Sequence, residues 1–212
     1  MIYELRTCDL KAKSLPEVEQ RFGEQYEKRR KYSELAAFWH TEIGPLNQIV
    51  HVWPYRDLAE RERIRAAAAK DGAWPPPIRE FILAMRSDIM TPFAFSPELR
   101  PAKVGPFFEM RSYTYASGEL PAIMKIWEEA MPARLAYAPV TALWYSALGA
   151  LNKFVHIWPY RSLDQRMEIR AKTRAAGIWP PSEIAEKRTG HSYELLSLEN
   201  KILMPASFSP LQ

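Results

Sequence analysis

The chain has 212 residues, 47% hydrophobic and 25% charged, with a formal net charge of +4, an ordinary globular balance that suits one large domain or two small ones. The positive excess is shared evenly, 17 basic against 15 acidic side chains in residues 1–105 and 12 against 10 in residues 106–212, so no basic domain is set aside for nucleic acid, and no run is long and apolar enough to span a membrane. A single cysteine, Cys8, excludes an intramolecular disulfide and a cysteine-based metal cluster; with a strand-like pattern directly at the N-terminus and no signal-like segment, the cytoplasm is the expected compartment.

The first element is a strand, "IYELRTCDL", which alternates and is rich in strand formers. It puts Tyr3 and Leu5 on one face and Glu4, Arg6 and Cys8 on the other. Ser14, Pro16 and Glu17 carry the signature of a helix start, serine and glutamate at capping-box spacing, and the helix is predicted to run to about Ala36. "AFWHTEI" and "NQIVHVW" read as two strands joined by a turn at "GPL". Both faces of the second of these are largely apolar. A second helix starts at Asp57, again with a capping pair at Glu60, and runs toward Gly72. "EFILAMRSDIM" is the fourth strand. "TPFAFSPELRPAKVGP", with four prolines, reads as an extended linker.

From Phe107 the same order recurs. A shift of 105 residues aligns "IYELR" with "FFEMR", Trp39 with Trp144, and "NQIVHVWPYRDLAERERIR" with "NKFVHIWPYRSLDQRMEIR", without a gap from Ile2 to Pro76. Ser162 and Gln165 stand where Asp57 and Glu60 stood, and "SYELLSLENKIL" supplies the last strand. There the shift is 113, so eight residues have been added within "SEIAEKRTGHSYE". Each copy reads β-α-β-β-α-β, an α+β ferredoxin-like repeat with both helices on one sheet face. Residues 1–96 form the first repeat, 97–106 the Pro-rich linker and 107–212 the second. The sheet has a second face without helices, which needs a partner if it is apolar. Two sheets face to face satisfy each other, so the expected architecture is a pseudo-dimeric α/β barrel.

The motif "N..VH.WPYR.L..R...R" occurs twice, through Asn47, His51, Trp53, Tyr55, Leu58, Arg61 and Arg65 and again through Asn152, His156, Trp158, Tyr160, Leu163, Arg166 and Arg170. On these residues the chain resembles the NIPSNAP family across nearly its whole length. The resemblance implies a dimeric α/β-barrel fold and a biochemical role that is poorly defined. The wider barrel superfamily includes cofactor-free oxygenases, haem-handling proteins and isomerases, an analogy of fold alone.

His51 and His156 are the catalytic candidates. A buried histidine is ordinarily a packed residue bonded to a carboxylate or backbone carbonyl; the sharper reading makes the two a pair across the barrel, as acid–base groups or haem ligands. Glu4, Arg6 and Trp53, with Glu109, Arg111 and Trp158, are the ligand-binding candidates. Arginine beside glutamate on one strand face is either an ion-pair ladder or an anion clamp in a pocket. Arg61 and Arg65, one turn apart like Arg166 and Arg170, read first as a solvated helix face, and otherwise as packing on Tyr55 or Tyr160 or binding a carboxylate across the interface. The basic run "YEKRRKY", unmatched by "MPARLAY", reads as another solvated face. Trp74 and Trp179 are expected to cover an end of the barrel or to wall a ligand entrance, and Trp39 and Trp144 to pack.

His40 aligns with Tyr145 and His191 has no counterpart, so a protein-built metal site is not expected. No phosphate loop, dinucleotide fingerprint, nucleophile elbow or RNA-binding aromatic pattern is present. Two function classes follow. One is a module that binds a small anionic or hydrophobic ligand, a protein partner or a second copy, without a resident cofactor. The other is a small cofactor-independent barrel enzyme, oxygenase or isomerase, with His51 or His156 as the acid–base group and Arg6 or Arg111 holding the substrate. A cavity lined by these residues favours the enzyme; a barrel filled by side chains removes its basis.

Overall fold

The computed structural model describes residues 1–212. The first repeat gives β1 (Ile2–Leu10), α1 (Leu15–Arg29), β2 (Ala37–Ile43), β3 (Gln48–Tyr55), α2 (Leu58–Lys70) and, after a 3-10 turn at Arg79–Phe81, β4 (Ile82–Pro92). The second gives β5 (Phe107–Tyr115), α3 (Leu120–Leu135), β6 (Ala142–Leu148), β7 (Lys153–Tyr160), α4 (Leu163–Ala175), α5 (Pro181–Thr189) and β8 (Leu195–Pro205).

The local reasons are legible residue by residue. Asp57 accepts the Glu60 backbone N–H at 2.8 Å, and Ser162 accepts that of Gln165 at 3.1 Å, so α2 and α4 begin where the capping pairs stand. The β2–β3 turn needs left-handed backbone at Gly44 (φ +115°) and Asn47 (φ +54°), residue types that tolerate it. Two readings of α1 fail. Ser14 is itself helical and its hydroxyl donates to Lys11 O at 2.7 Å, so no capping box forms. The helix ends at Arg29 rather than near Ala36, because Tyr26 Oη accepts the Leu35 N–H (3.1 Å) and Ala36 already donates to Val52 O (2.9 Å), drawing the chain into the sheet. The eight added residues appear as α5. Its Ala185 is buried in the second repeat's core, and Arg188 reaches Glu129 of α3 at 3.2 Å.

Within the first repeat the antiparallel strand order is β4-β1-β3-β2, within the second β8-β5-β7-β6, and β2 pairs with β8 and β4 with β6 to close an eight-stranded barrel. An eight-stranded barrel is just wide enough for side chains to fill, and here they do. Tyr3, Leu5, Trp39, Val50, Val52, Phe108, Met110, Trp144, Val155, Ile157 and Leu203 form one cluster drawn from both repeats. Its aromatic pairs cross between repeats: Tyr3 stacks on Trp144 (4.8 Å) and Trp39 meets Phe108 (5.2 Å). The linker closes one end. Leu99 and Ala102 pack on this core, and Ala102 bridges Leu211 of the C-terminal tail. The helices lie outside the barrel, each repeat burying its own layer between helices and sheet. In α1, Gly23 lets the helix approach Phe208, whose ring would lie 2.9 Å from an added Cβ.

Candidate functional site

The register of β1 with β3 sets Glu4 opposite Trp53 and Arg6 opposite His51; β5 and β7 repeat it with Glu109 and Trp158, Arg111 and His156. Tyr3 and Leu5 take the barrel interior, so alternation turns this set outward, beneath the helices. The histidines are therefore not a pair across the barrel. Each belongs to a separate, helix-covered cluster in its own repeat, and the barrel between them is filled with side chains.

Glu4, fully buried, is the centre of the first cluster. Its Oε1 accepts from Arg61 Nη2 (2.6 Å), Ser87 Oγ (2.9 Å) and Arg6 Nη1 (3.2 Å), and Arg65 Nη1 stands 3.6 Å from Oε2. Burial works to raise the Glu4 pKa; the Arg61 hydrogen bond and the fields of Arg65 and Arg6 outweigh it and bring the carboxyl down to about 2. Glu109 repeats the arrangement with Arg166 Nη2 at 2.5 Å and Arg111 Nη1 at 3.1 Å, and its pKa is likewise lowered by these arginines against the effect of burial. Arg61 and Arg65 are thus not a solvated face. They grip a carboxylate, and it lies in their own repeat rather than across the interface.

A fourth arginine joins each cluster. Arg29, buried, lies 4.6 Å above the Trp53 ring and donates to Tyr55 Oη (3.2 Å) and Ser33 Oγ (2.8 Å). Arg134 lies 4.2 Å above Trp158. The run "YEKRRKY" is therefore no mere solvated face. Arg29 and Arg134 are 105 residues apart, so the repeat register itself carried the signal; comparing the runs by overall charge hid it. Each repeat thus gathers four guanidiniums near one carboxylate: Arg6, Arg61 and Arg65 lie within 3.6 Å of Glu4, and Arg111 and Arg166 within 3.1 Å of Glu109, while Arg29, Arg134 and Arg170 act on it through their fields alone; burial lowers the pKa of Arg29 and of Arg65.

His51 is held neither by a carboxylate nor by a carbonyl. Trp53 Nε1 donates to its Nδ1 at 2.7 Å, and Trp158 Nε1 to His156 Nδ1 at 2.6 Å. With Nδ1 accepting, the proton of the neutral ring sits on Nε2. Burial, reinforced by Arg6, lowers the His51 pKa to about 3; burial lowers that of His156 well below the ordinary value. Both rings are neutral at pH 7.

The repeats diverge in what lies above the cluster. The first carries a cavity of about 570 Å³ lined by Arg6, Cys8, His51, Arg65, Trp74 and Met85 among others, with no carboxylate in its wall. The second carries one of about 520 Å³ whose lining includes Arg111, Tyr113, Trp127, Arg170, Glu183 and Glu186; His156 is not part of it, and its Nε2 is buried without a partner. Trp74 and Trp179 wall these cavities instead of covering a barrel end. A third, polar cavity of about 630 Å³ opens at one mouth of the barrel between Asp88, Lys153 and Lys201. His40 bonds to Glu19 at 2.7 Å and His191 faces Glu119 at 3.5 Å, both away from the clusters. No group of three His, Cys, Asp or Glu side chains is placed to hold a metal ion.

Comparison with known proteins gives a consistent picture. The NIPSNAP family model matches twice, over residues 3–97 and 108–210. Protein NipSnap homolog 3B of Homo sapiens is 30% identical over 217 residues, covering 99% of this chain and 85% of that protein. Protein NipSnap homolog 3A of Homo sapiens is 29% identical over 223 residues, covering 100% and 86%. Among solved structures, a monooxygenase-like protein of Fusobacterium nucleatum superposes with a TM-score of 0.66 at 11% identity, covering 97% of this chain and 92% of that one. An anthrone oxidase-like protein gives 0.63 at 7% identity. These two likenesses speak to the fold alone.

Proposed function

This chain belongs to the NIPSNAP family, whose biochemical role is undefined, and from that premise we propose that it is a small-molecule binding module whose first repeat holds an anionic ligand. One observation carries the reading: Arg6 and Arg65 line a cavity of about 570 Å³ without a carboxylate in its wall, above a cluster in which Glu4 offsets only one of four guanidiniums. Such a surplus of half-buried positive charge favours an incoming anion, and arginine binds carboxylate or phosphate oxygens with two parallel bonds. The cavity has the size and apolar wall of a small-ligand site. In the second repeat Glu183 and Glu186 offset the arginines, so the first site is the stronger anion binder.

His51 has the role of a fixed neutral donor. Its Nδ1 is occupied by Trp53, and a pKa of about 3 keeps it from serving as a proton shuttle near neutral pH. The two repeats act as one binding body, 1–96 and 107–212 joined by 97–106. A protein whose sole cysteine is a free thiol suits a reducing compartment, and the cytoplasm is the one proposed.

The test is thermal unfolding in a panel of sodium salts at constant ionic strength: phosphate, citrate, benzoate and hexanoate against chloride. A ligand at a hundred times its Kd contributes about 2.7 kcal/mol, a rise in Tm of roughly 5 to 10 °C for a chain of this size. At least one organic or phosphate anion should give a saturable rise that Arg65→Gln abolishes. No rise above chloride, or a rise that survives Arg65→Gln, refutes the reading.

A further inference from the structure

The repeats differ at one position in a way that identifies the ligand class of the first site, an inference that rests on the anion-binding reading above. Cys8 and Tyr113 are equivalent, 105 residues apart and on the same outward face. In the second repeat the Tyr113 ring lies edge-on to His156, 4.9 Å between centroids, with the Arg111 guanidinium 5.4 Å from its centre. Its phenol oxygen accepts from Arg111 Nε at 2.6 Å. With Trp127, 4.7 Å from the His156 ring, it keeps that histidine out of the neighbouring cavity.

In the first repeat that phenol is missing while the arginine and the histidine that met it remain, as Arg6 and His51; its edge-on neighbours Tyr115 and Phe154 are replaced by Leu10 and Ile49. Arg6 donates through Nη1 to Glu4 and through Nη2 weakly to Met85 Sδ (3.8 Å), leaving Nε without a bond. His51 has its Nε2–H uncommitted and lines the cavity. The walls are aromatic: Phe22 stands 5.0 Å from His51 and 5.1 Å from Trp74, edge-on to both. We propose that the first-repeat cavity binds a small aromatic anion, an aryl carboxylate or phenolate, with its ring where the Tyr113 ring lies in the other repeat and its oxygen on Arg6 Nε and His51 Nε2–H. The second repeat carries its own aromatic occupant, so one chain binds one ligand. Edge-on aromatic neighbours reward a planar ring above an alkyl chain of similar size.

The experiment is isothermal titration calorimetry of the full chain at pH 7.5 and fixed ionic strength with benzoate, 4-hydroxybenzoate and hexanoate. The two aryl acids should bind at a stoichiometry of one, about tenfold or more tighter than hexanoate. Cys8→Tyr, which copies the second repeat's occupant into the first, should weaken benzoate at least about tenfold while Tm holds or rises. Hexanoate binding as tightly as benzoate, or Cys8→Tyr retaining benzoate, overturns the aromatic assignment and leaves the anion site standing. If none of the three acids binds the wild-type chain and the salt panel also fails, both are overturned. The comparison of benzoate with hexanoate needs no variant, so misfolding of Cys8→Tyr does not protect the proposal.

Discussion

Replacing Glu4 by glutamine tests whether the arginine cluster is a charge system or a packing accident. The carboxyl is fully buried and held at about 2 against an ordinary 4.5. At ~1.4 kcal/mol for each factor of ten in the ionisation constant, its charged form contributes about 3 kcal/mol of stability at neutral pH. Removing one partner of a buried ion pair costs about 3–5 kcal/mol. The side chains of Arg6, Arg61 and Arg65 keep 17%, 21% and 31% of their exposure, so water takes up part of the stranded charge and the lower figure applies. The pH dependence fixes the cause. A group whose pKa falls on folding stabilises fully above its unfolded value, and that stability is lost as pH falls from about 4.5 toward about 2. Urea unfolding of wild type and Glu4→Gln should therefore differ by about 3 kcal/mol at pH 7, with the gap closing below pH 4.5. A gap of the same size at pH 3 and pH 7 would show that shape, not charge, holds the cluster, and the anion-binding argument would lose its footing.

Two further outcomes follow from the same cluster. His51 should show the Nε2–H tautomer by nitrogen-detected NMR and remain neutral from pH 8 to pH 5, since burial puts its pKa at about 3; because the unfolded ring takes up a proton near 6.5, this residue costs stability as pH falls from there toward 3, and an ordinary titration near 6.5 in the folded chain would refute the buried Trp53–His51 pair. Arg29→Met should change stability by no more than about 1 kcal/mol, because loss of the ring contact on Trp53 is offset by relief of a desolvated charge near Arg65, while benzoate affinity falls; a loss above about 3 kcal/mol would mean that Arg29 is a required partner of Tyr55 and Ser33 rather than surplus charge.

The architecture was written in the sequence because the repeat supplies both sheets and alternation supplies their faces. The capping pairs at Asp57 and Ser162 did as the spacing implied, whereas Ser14 matched the same pattern and did not, since its hydroxyl found Lys11 O first. The site was half legible. Glu4, Arg6, His51 and Trp53 share a face by period two, and the motif spacing puts Arg61 and Arg65 on one helical stripe. Nothing in the strand pattern says which face meets helices and which meets the other sheet when both are apolar, as in β3. That ambiguity is what left the histidines open to the reading of a pair across the barrel, which the structure does not bear out. Arg29 and the Cys8–Tyr113 exchange were missed because both matter only through contacts between elements distant in sequence.

The duplication also explains why the two repeats share one chain. The barrel's aromatic pairs are interchangeable, Tyr3 with Trp144 and Phe108 with Trp39, so the hydrophobic core alone would let like repeats pair. The polar mouth does not allow it equally. Lys153 of the second repeat donates to Asp88 of the first at 2.7 Å, and Lys201 of the second donates to Gln48 of the first at 2.8 Å. Lys153 stands at the position of Gln48, and Lys201 at that of Asp88. Two second repeats would therefore bring lysine against lysine at both contacts, in a setting where burial already lowers the Lys201 pKa. Like charges placed together cost more than matched ones return, so the polar mouth rejects a pair of second repeats and favours a first repeat as the partner of each second. Fusion supplies that pair at high local concentration. Once the partners were fixed as unlike, the outward clusters were free to diverge, and the exchange of tyrosine for cysteine could open one site while the other stayed filled.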